Sequence, residues 1–330
     1  MANGGAGSVS VIYTASNAVV ATIPVGTQSV FLQQSPNGSR VYVCNTGASS
    51  VSVIDTVLQT VVATVSVGGT PVGEAVAPNG STVWIENVAS GDLSVIDVAS
   101  NVVVATVAIG TATGPVAISP DGSFVYAGAL GGVRVVDVAT FGVVATVSIA
   151  APPSAISVTP NGSFVYATNN ATTTSSVWVI GAASNAVVAT VPVGTSPQWI
   201  TLDAGGLFAW VPCNTSNSVS VINTATQTVI ATVPVGSAPQ ASAITPGGLF
   251  TYVANYGSAN VSVINAATYA VVATVLVGTN PVWIAIAPNG SRVYVDNSAS
   301  SNVSVIDALT NVVVGTVPVG SNPGWIVIRP

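Results

Sequence analysis

PVWIAIAPNGSRVYVDNSASSNVSVIDALTNVVVGTVPVG, residues 281–320, holds four short runs rich in Val, Ile, Tyr and Trp, each closed by turn residues. WIAI follows Pro281, and Asn289-Gly290 then marks a tight hairpin, because both central positions of such a turn take positive φ. RVYVDN starts at Arg292, VSVID at Val303 and VVGTVPVG at Val313. β-branched runs of this length, separated by Asn, Gly, Ser and Asp, read as strands and turns.

The block repeats along the chain. VSVI or a near-copy begins at Val9, Val51, Leu93, Val133, Val177, Val219, Val261 and Val303, at intervals of 42, 42, 40, 44, 42, 42 and 42 residues. Ten residues after each start comes a run such as VVATIPVG at Val19, VVATVSVG at Val61 or VVATVPVG at Val187. RVYVCN at Arg40, FVYATN at Phe164 and FTYVAN at Phe250 repeat the RVYVDN run. Four short strands in each repeat of this length make a propeller blade; a β-helix repeats on a much shorter period, and a helical solenoid needs a 3.6-residue pattern that is absent.

Written as an X-Pro strand, PNGS, RVYV-x-N, VSVID and VVATVPVG, the repeat resembles the YVTN-type β-propeller repeat of archaeal and bacterial surface proteins, over essentially the whole chain. The resemblance implies that the X-Pro strand is innermost (A), followed outward by the RVYV strand (B), the VSVI strand (C) and the VVATV strand (D). It also implies a secreted structural or adhesive role and offers no catalytic residues to carry over. Related propellers include lactonases and redox enzymes.

The expected fold is therefore all-β: a β-propeller of four-stranded blades in one domain, residues 1–330. A C–D hairpin at 9–25 precedes seven full repeats at about 29–319 and a closing A strand at 325–328. Eight repeats of 42 would exceed the 330 residues by six. The simplest closure is an eighth blade split between the two termini, which protects strand edges. Its B strand would be nearly missing, with only residues 1–3 to occupy its end. So weak a seam implies a trimmed chain, a strand from a neighbour, or the alternative of seven blades with overhanging strands.

Composition narrows the function. Hydrophobic residues make up 49% of the chain and charged residues 4%, with no His and no Lys. Arg40, Arg134, Arg292 and Arg329 are the cations, too few for the basic track that nucleic acid demands. No unbroken apolar stretch approaches the roughly 20 residues of a membrane helix. The N-terminal MANGGAGSVSV shows neither a basic segment nor a long apolar one, so no signal peptide is visible.

Acid–base chemistry is left to carboxylates. Asp55, Asp97, Asp137 and Asp307 occupy one repeat position, held by Asn223 and Asn265 elsewhere, and read as Asx turns of the C–D hairpin. Glu74, Glu86, Asp92, Asp121, Asp203 and Asp296 do not repeat and fall in different blades, so neither a metal nor any other cofactor is expected. Cys44 and Cys213 lie in repeats four apart, on opposite sides of an eight-bladed ring and beyond disulfide reach. Trp84 and Trp210 replace the Tyr of RVYV and read as inter-blade core, whereas Trp178 replaces the Ser of VSVI and reads as exposed.

The sharper signal is aromatic. Trp199, Trp283 and Trp325 stand two residues after the X-Pro step, and Phe31 holds that position in the first full repeat. These rings either form an apolar platform at the axial rim, with Gln33, Gln198 and Gln240 as polar neighbours, or fill the wedges between adjacent A strands. Eight sequons, at Asn37, Asn79, Asn161, Asn170, Asn214, Asn260, Asn289 and Asn302, are candidate N-glycosylation sites.

Taken together, the expectation is a non-catalytic extracellular or cell-surface structural protein, a subunit of a surface layer, sheath or filament. Its partners would be copies of itself, other surface proteins or glycans. The alternative is a ligand- or glycan-binding propeller using the aromatic rim, and a lactonase-like enzyme ranks last.

Overall fold

The computed structural model describes residues 1–169 and 175–329. Its strands form eight four-stranded antiparallel sheets, and a single 3-10 turn at Thr46–Ala48 is the only helical element among the described residues. We number the seven unbroken blades from the N-terminus. Blade 7 shows the plan: Pro281–Ile286 (A), Arg292–Asn297 (B), Asn302–Asp307 (C) and Val312–Pro318 (D) pair in chain order. Blade 1 begins at Ser29–Gln34, blade 2 at Pro71–Val76, blade 3 at Ala112–Ile118, blade 4 at Ala155–Val158, blade 5 at Thr201–Leu202 and blade 6 at Pro239–Ile244. The A strands of neighbouring blades touch one another, so the X-Pro strand is the inner one.

The eighth blade is split, and the seven-bladed alternative falls. Pro323–Trp325 supplies strand A, Ala2–Asn3 strand B, Ser8–Tyr13 strand C and Ala18–Pro24 strand D. Ala2 pairs with Val9 on one side and Trp325 on the other, which ties the two ends of the chain into one sheet.

The core lies between blades. Tyr252 and Val263 of blade 6 pack against Ile284 and Val295 of blade 7, and equivalent clusters fill the other interfaces. Trp84 and Trp210 are fully buried there. Trp178, expected to be exposed, is buried too: it packs on Val133, Val135 and Ile149 of blade 3, because this position of strand C faces the neighbouring blade.

Outer strands are managed differently. In every blade the C–D register shifts by one residue, leaving Val20, Val62, Val104, Val144, Val188, Ile230, Val272 or Val314 as the extra residue of a bulge. All eight project outward. A bulge twists an edge strand away from the flat geometry that invites another chain, which suits a surface with few charges to prevent association.

One polar motif recurs at five of the eight linkers between blades. Asn3, Asn45, Asn87, Asn255 and Asn297 end their B strands fully buried, and each donates from Nδ2 to a strand C serine (Ser10, Ser52, Ser94, Ser262, Ser304) at 2.9–3.0 Å. The glycine ending the preceding D strand lies against the same side chain. A Cβ on Gly278 would sit 2.7 Å from Asn297, and one on Gly26 would sit 2.6 Å from Asn45. Close approach, not positive φ, selects glycine here. Asn297→Ala, which strands buried groups, is expected to cost about 1–3 kcal/mol in urea unfolding, and Gly278→Ala a similar amount. Because the two sites share one network, the double variant should lose clearly less than the sum.

Candidate functional site in the axial channel

The repeat aligns eight equivalent A-strand positions: Phe31, Gly73, Pro115, Ala155, Trp199, Ala241, Trp283 and Trp325. Four carry rings and four carry little or nothing, and the rings converge. Trp283 stacks on Trp325 with centroids 3.5 Å apart and planes at 19°; Phe31 lies 4.7 Å from Trp325. Trp199 meets Trp283 edge-on at 4.8 Å and Trp325 at 5.5 Å, although its blade is not adjacent to either. The rings therefore meet across the axis as well as packing on inter-blade clusters, so platform and wedge are two faces of one arrangement.

Beside the rings, where Gly73 and Pro115 stand in for aromatics, lies a cavity of about 320 Å³. Phe31, Trp199 and Trp325 wall one side; Gln33, Glu74, Gly114 and Ser154 contribute to the other. Gln198 and Gln240 do not line it, and the Gln198 amide instead donates to the Ser196 carbonyl at 3.4 Å.

Glu74 is the residue to which sequence reading gave no role. Its equivalents are Leu32, Val116, Ile156, Ile200, Ser242, Ile284 and Ile326, so a carboxyl occupies a socket that is otherwise mostly aliphatic. Cys44 Sγ donates to Glu74 Oε2 at 3.7 Å, while Oε1 is out of solvent contact and has no partner. Burial pushes Glu74 well above the usual carboxylate range; burial, then the proximity of Glu74, pushes the Cys44 thiol up as well. Both shifts favour the uncharged forms, and Glu74 stands in the lining of a largely apolar cavity.

Two further buried acids have structural duties. Glu86 Oε1 accepts from the Thr113 and Gly114 N–H groups at 3.0 and 2.6 Å, and Asp296 Oδ1 accepts from Val282 and Trp283 at 3.2 and 2.6 Å. Both cap N–H groups that an A-strand register shift frees from the ladder. Burial raises Glu86 to about 8 and Asp296 to about 7 despite those bonds. The repeated Asp residues form the expected turns: Asp55 Oδ1 accepts from Val57 and Leu58, and Asp307 Oδ1 from Leu309 and Thr310. Both cysteines are buried and free.

Among the sequons, Asn37, Asn79, Asn161 and Asn289 sit on exposed hairpins, each accepting from the serine N–H two residues on. Asn214 lies half-buried at a turn, while Asn260 and Asn302 accept from the buried Asn255 and Asn297. Asn170 lies outside the described residues.

A sequence profile described as the Cytochrome D1 heme domain matches residues 43–327. The chain belongs to that family. Solved propellers agree on the fold. The dihydro-heme d1 dehydrogenase NirN, in complex with DHE, superposes with a TM-score of 0.82 at 18% identity, over 96% of this chain and 72% of its own. Hydrazine synthase of Kuenenia stuttgartiensis gives 0.71 at 23% identity, over 86% and 97%. A functionally unknown protein from Desulfotomaculum acetoxidans gives 0.70 at 18%, over 88% and 99%. No curated protein matches the chain in sequence.

This placement corrects several expectations. The propeller stands, but the family shown is Cytochrome D1 heme domain rather than the YVTN repeat specifically. The non-catalytic structural or scaffold subunit of a surface layer, sheath or filament is overturned, and with it the exclusion of enzyme chemistry. The family is described by a heme domain, and a dehydrogenase and a synthase are among the solved structures that share the fold. The absence of His and Lys does not remove acid–base chemistry, because burial raises the pKa of Glu74, Glu86 and Asp296. Family members are periplasmic, which agrees with a location outside the cytoplasm. Among the described residues no helix is long and apolar enough to cross a membrane.

Heme iron takes imidazole, thiolate, thioether or phenolate ligands. This chain has no His, and no Cys, Met or Tyr lines the axial cavity. No Arg lines it either to meet a carboxylate side arm, Arg40 and Arg292 being paired with Asp55 and Asp307. The residues lining this cavity do not fit an iron-coordinating heme site.

The buried acids set a pH dependence. Glu86 and Asp296 hold protons in the folded state above their ordinary values of 4.5 and 3.8, which makes stability fall as pH rises toward about 8 and 7, while burial lowers the Met1 ammonium from 8.0 to about 5 and offsets one such contribution between those two values. The turn donors hold Asp55, Asp97, Asp121, Asp137 and Asp307 below 3.8, so that contribution is lost only in stronger acid. Denaturation midpoints should peak near pH 4–5 and decline toward pH 7, each acid contributing up to about 1.4 kcal/mol per unit and the Met1 ammonium offsetting one such contribution above pH 5. Glu86→Gln and Asp296→Asn should each flatten the decline; a flat wild-type profile contradicts the assignment.

Proposed function

We propose that this member of the Cytochrome D1 heme domain family binds a flat conjugated small molecule in the axial cavity. The ring face would rest on Trp325, Trp199 and Phe31, and protonated Glu74 would donate a hydrogen bond to it. The observation that carries the reading is the one-sided cavity, with an aromatic wall and an acid in a mostly aliphatic socket. Its volume of about 320 Å³ is at the lower end of small-molecule sites, roughly 300–1,000 Å³. The heme of the family description and the DHE of the dehydrogenase's complex support the choice of a conjugated ring; the residues here favour holding it by stacking and hydrogen bonding rather than by a metal bond. A neutral acid in a dry cavity is also able to deliver a proton to a bound ring, which suits an enzyme-related family.

Tryptophan fluorescence tests this, with metal-free protoporphyrin and its ferric complex as probes. Saturable quenching is expected from both, with similar affinity, because no iron ligand is available. Trp325→Ala should weaken binding about tenfold, or about 1.4 kcal/mol. Glu74→Gln, which keeps a donor, should stay near wild type, while Glu74→Leu should lose about tenfold. Absence of quenching by either probe, or selective tight binding of the ferric form, refutes the proposal.

A further inference from the structure

One wall of the axial cavity is a backbone bulge in the inner strand of blade 3. In blades 1, 2 and 6 the inner strand carries one extra residue at this level, as Val72 does between the ladder pairs Pro71–Asn87 and Gly73–Glu86. In blade 3 three residues, Thr113, Gly114 and Pro115, stand opposite Gly128 alone, between the pairs Ala112–Ala129 and Val116–Ala127. All three line the cavity. Proline has no N–H to place, and the other two N–H groups go to Glu86 Oε1 of blade 2 at 3.0 and 2.6 Å.

Glycines make the bulge fit. A Cβ on Gly73 would stand 2.0 Å from the Gly114 carbonyl oxygen, and one on Gly128 would stand 2.6 Å from Thr113 Oγ1 and 2.7 Å from Pro115. In so regular a chain these residues are departures. Gly73 is the single glycine at the inner-strand position that carries Phe31 and the tryptophans elsewhere, and Gly128 is the single glycine at the strand B position held by Cys44, Glu86 and Asp296. Departures on separate strands of blades 2 and 3 thus meet at one stretch of cavity wall. Ring closure does not demand the arrangement: blade 6 closes with the smaller bulge, and Pro212 of blade 5 holds the place of Glu86 before it.

We propose that Glu86 is a positioning residue of the axial site, holding the Thr113–Pro115 bulge against Gly73 and so setting the wall that a bound ring meets away from Trp199 and Trp325. The inference rests on the ligand reading above and adds the residue that shapes the non-aromatic wall. Glu86 does not line the cavity, so it acts through Thr113 and Gly114 and touches no ligand. Without its carboxyl, two N–H groups outside the ladder are stranded and the bulge must move to satisfy them.

Tryptophan-quenching titrations with metal-free protoporphyrin test this. Glu86→Ala should weaken binding about tenfold, while Glu86→Gln, which keeps an oxygen for both N–H groups, should stay within about threefold of wild type. Gly73→Ala, whose Cβ presses on the Gly114 carbonyl, should also weaken binding. Because both changes act through one bulge, the double variant should lose much less than the product of the two effects. Asn255→Ala, which destabilises blade 6 away from the cavity, should leave affinity unchanged and so separates positioning from a general loss of stability. Hydrogen exchange reports the bulge without any probe: residues 113 and 114 should exchange faster in Glu86→Ala, with strand C of blade 3 unchanged. A wild-type protein that binds no probe defeats the ligand reading and this role with it. Equal affinity of wild type and Glu86→Ala, or unchanged exchange at residues 113 and 114, overturns the positioning role alone.

Discussion

A buried asparagine side chain, donating from its amide nitrogen to a strand C serine and pressed against a glycine, is the contact on which most of this ring depends. A propeller must turn its chain from the outer strand of one blade to the inner strand of the next, and that linker cannot join a ladder. Gly26, Gly236 and Gly278 bring the linker against Asn45, Asn255 and Asn297, whose amides reach down to strand C. Neutral groups meet this need without the desolvation penalty of ions. That choice accounts for a chain rich in Asn and Ser with 4% charged residues, and it leaves each buried acid as an exception with a local reason.

Those reasons differ. Glu86 and Asp296 answer a backbone problem, the N–H groups freed where inner strands bulge, and their raised pKa values are a consequence of burial rather than a sign of catalysis. Glu74 answers no such problem: its partner is the Cys44 thiol rather than a backbone N–H, and an aliphatic residue holds the equivalent place in six other blades. Among groups with strongly shifted pKa values, the absence of a backbone N–H to cap, together with a place in a cavity lining, separates a functional candidate from a structural cap better than the shift itself.

Much of the architecture was legible because the repeat is nearly pure. Period-two runs and Asn-Gly turns gave the strands, regular spacing gave the blades, and the six-residue deficit gave the split blade. The convergence of Phe31, Trp199, Trp283 and Trp325 was legible as one repeat position, although Gln198 and Gln240, near it in sequence, stay off the cavity. Glu74 was visible only as a non-repeating acid, since its meaning depends on which face of strand A meets the neighbouring blade. Trp178 was misjudged for the same reason. Family membership was hidden because regular repeats look alike across propellers, so that a repeat motif identifies architecture more readily than lineage.

The seam and the axial site share one strand. Pro323–Trp325 is the inner strand of the split blade, and its ladder to Ala2–Asn3 is short and shifted in register. Its Trp is also the centre of the aromatic cluster, stacked on Trp283 of blade 7 and flanked by Phe31 of blade 1. Ring contacts thus hold in place an inner strand that backbone bonds hold poorly. Three of the four rings come from consecutive blades around the closure, where Trp283, Trp325 and Phe31 brace an inner strand with two ladder pairs; the fourth, Trp199, belongs to blade 5, whose inner strand Thr201–Leu202 also has two. The same bracing turns their remaining surface toward the channel, so the wall of the proposed binding site follows from how the ring is closed.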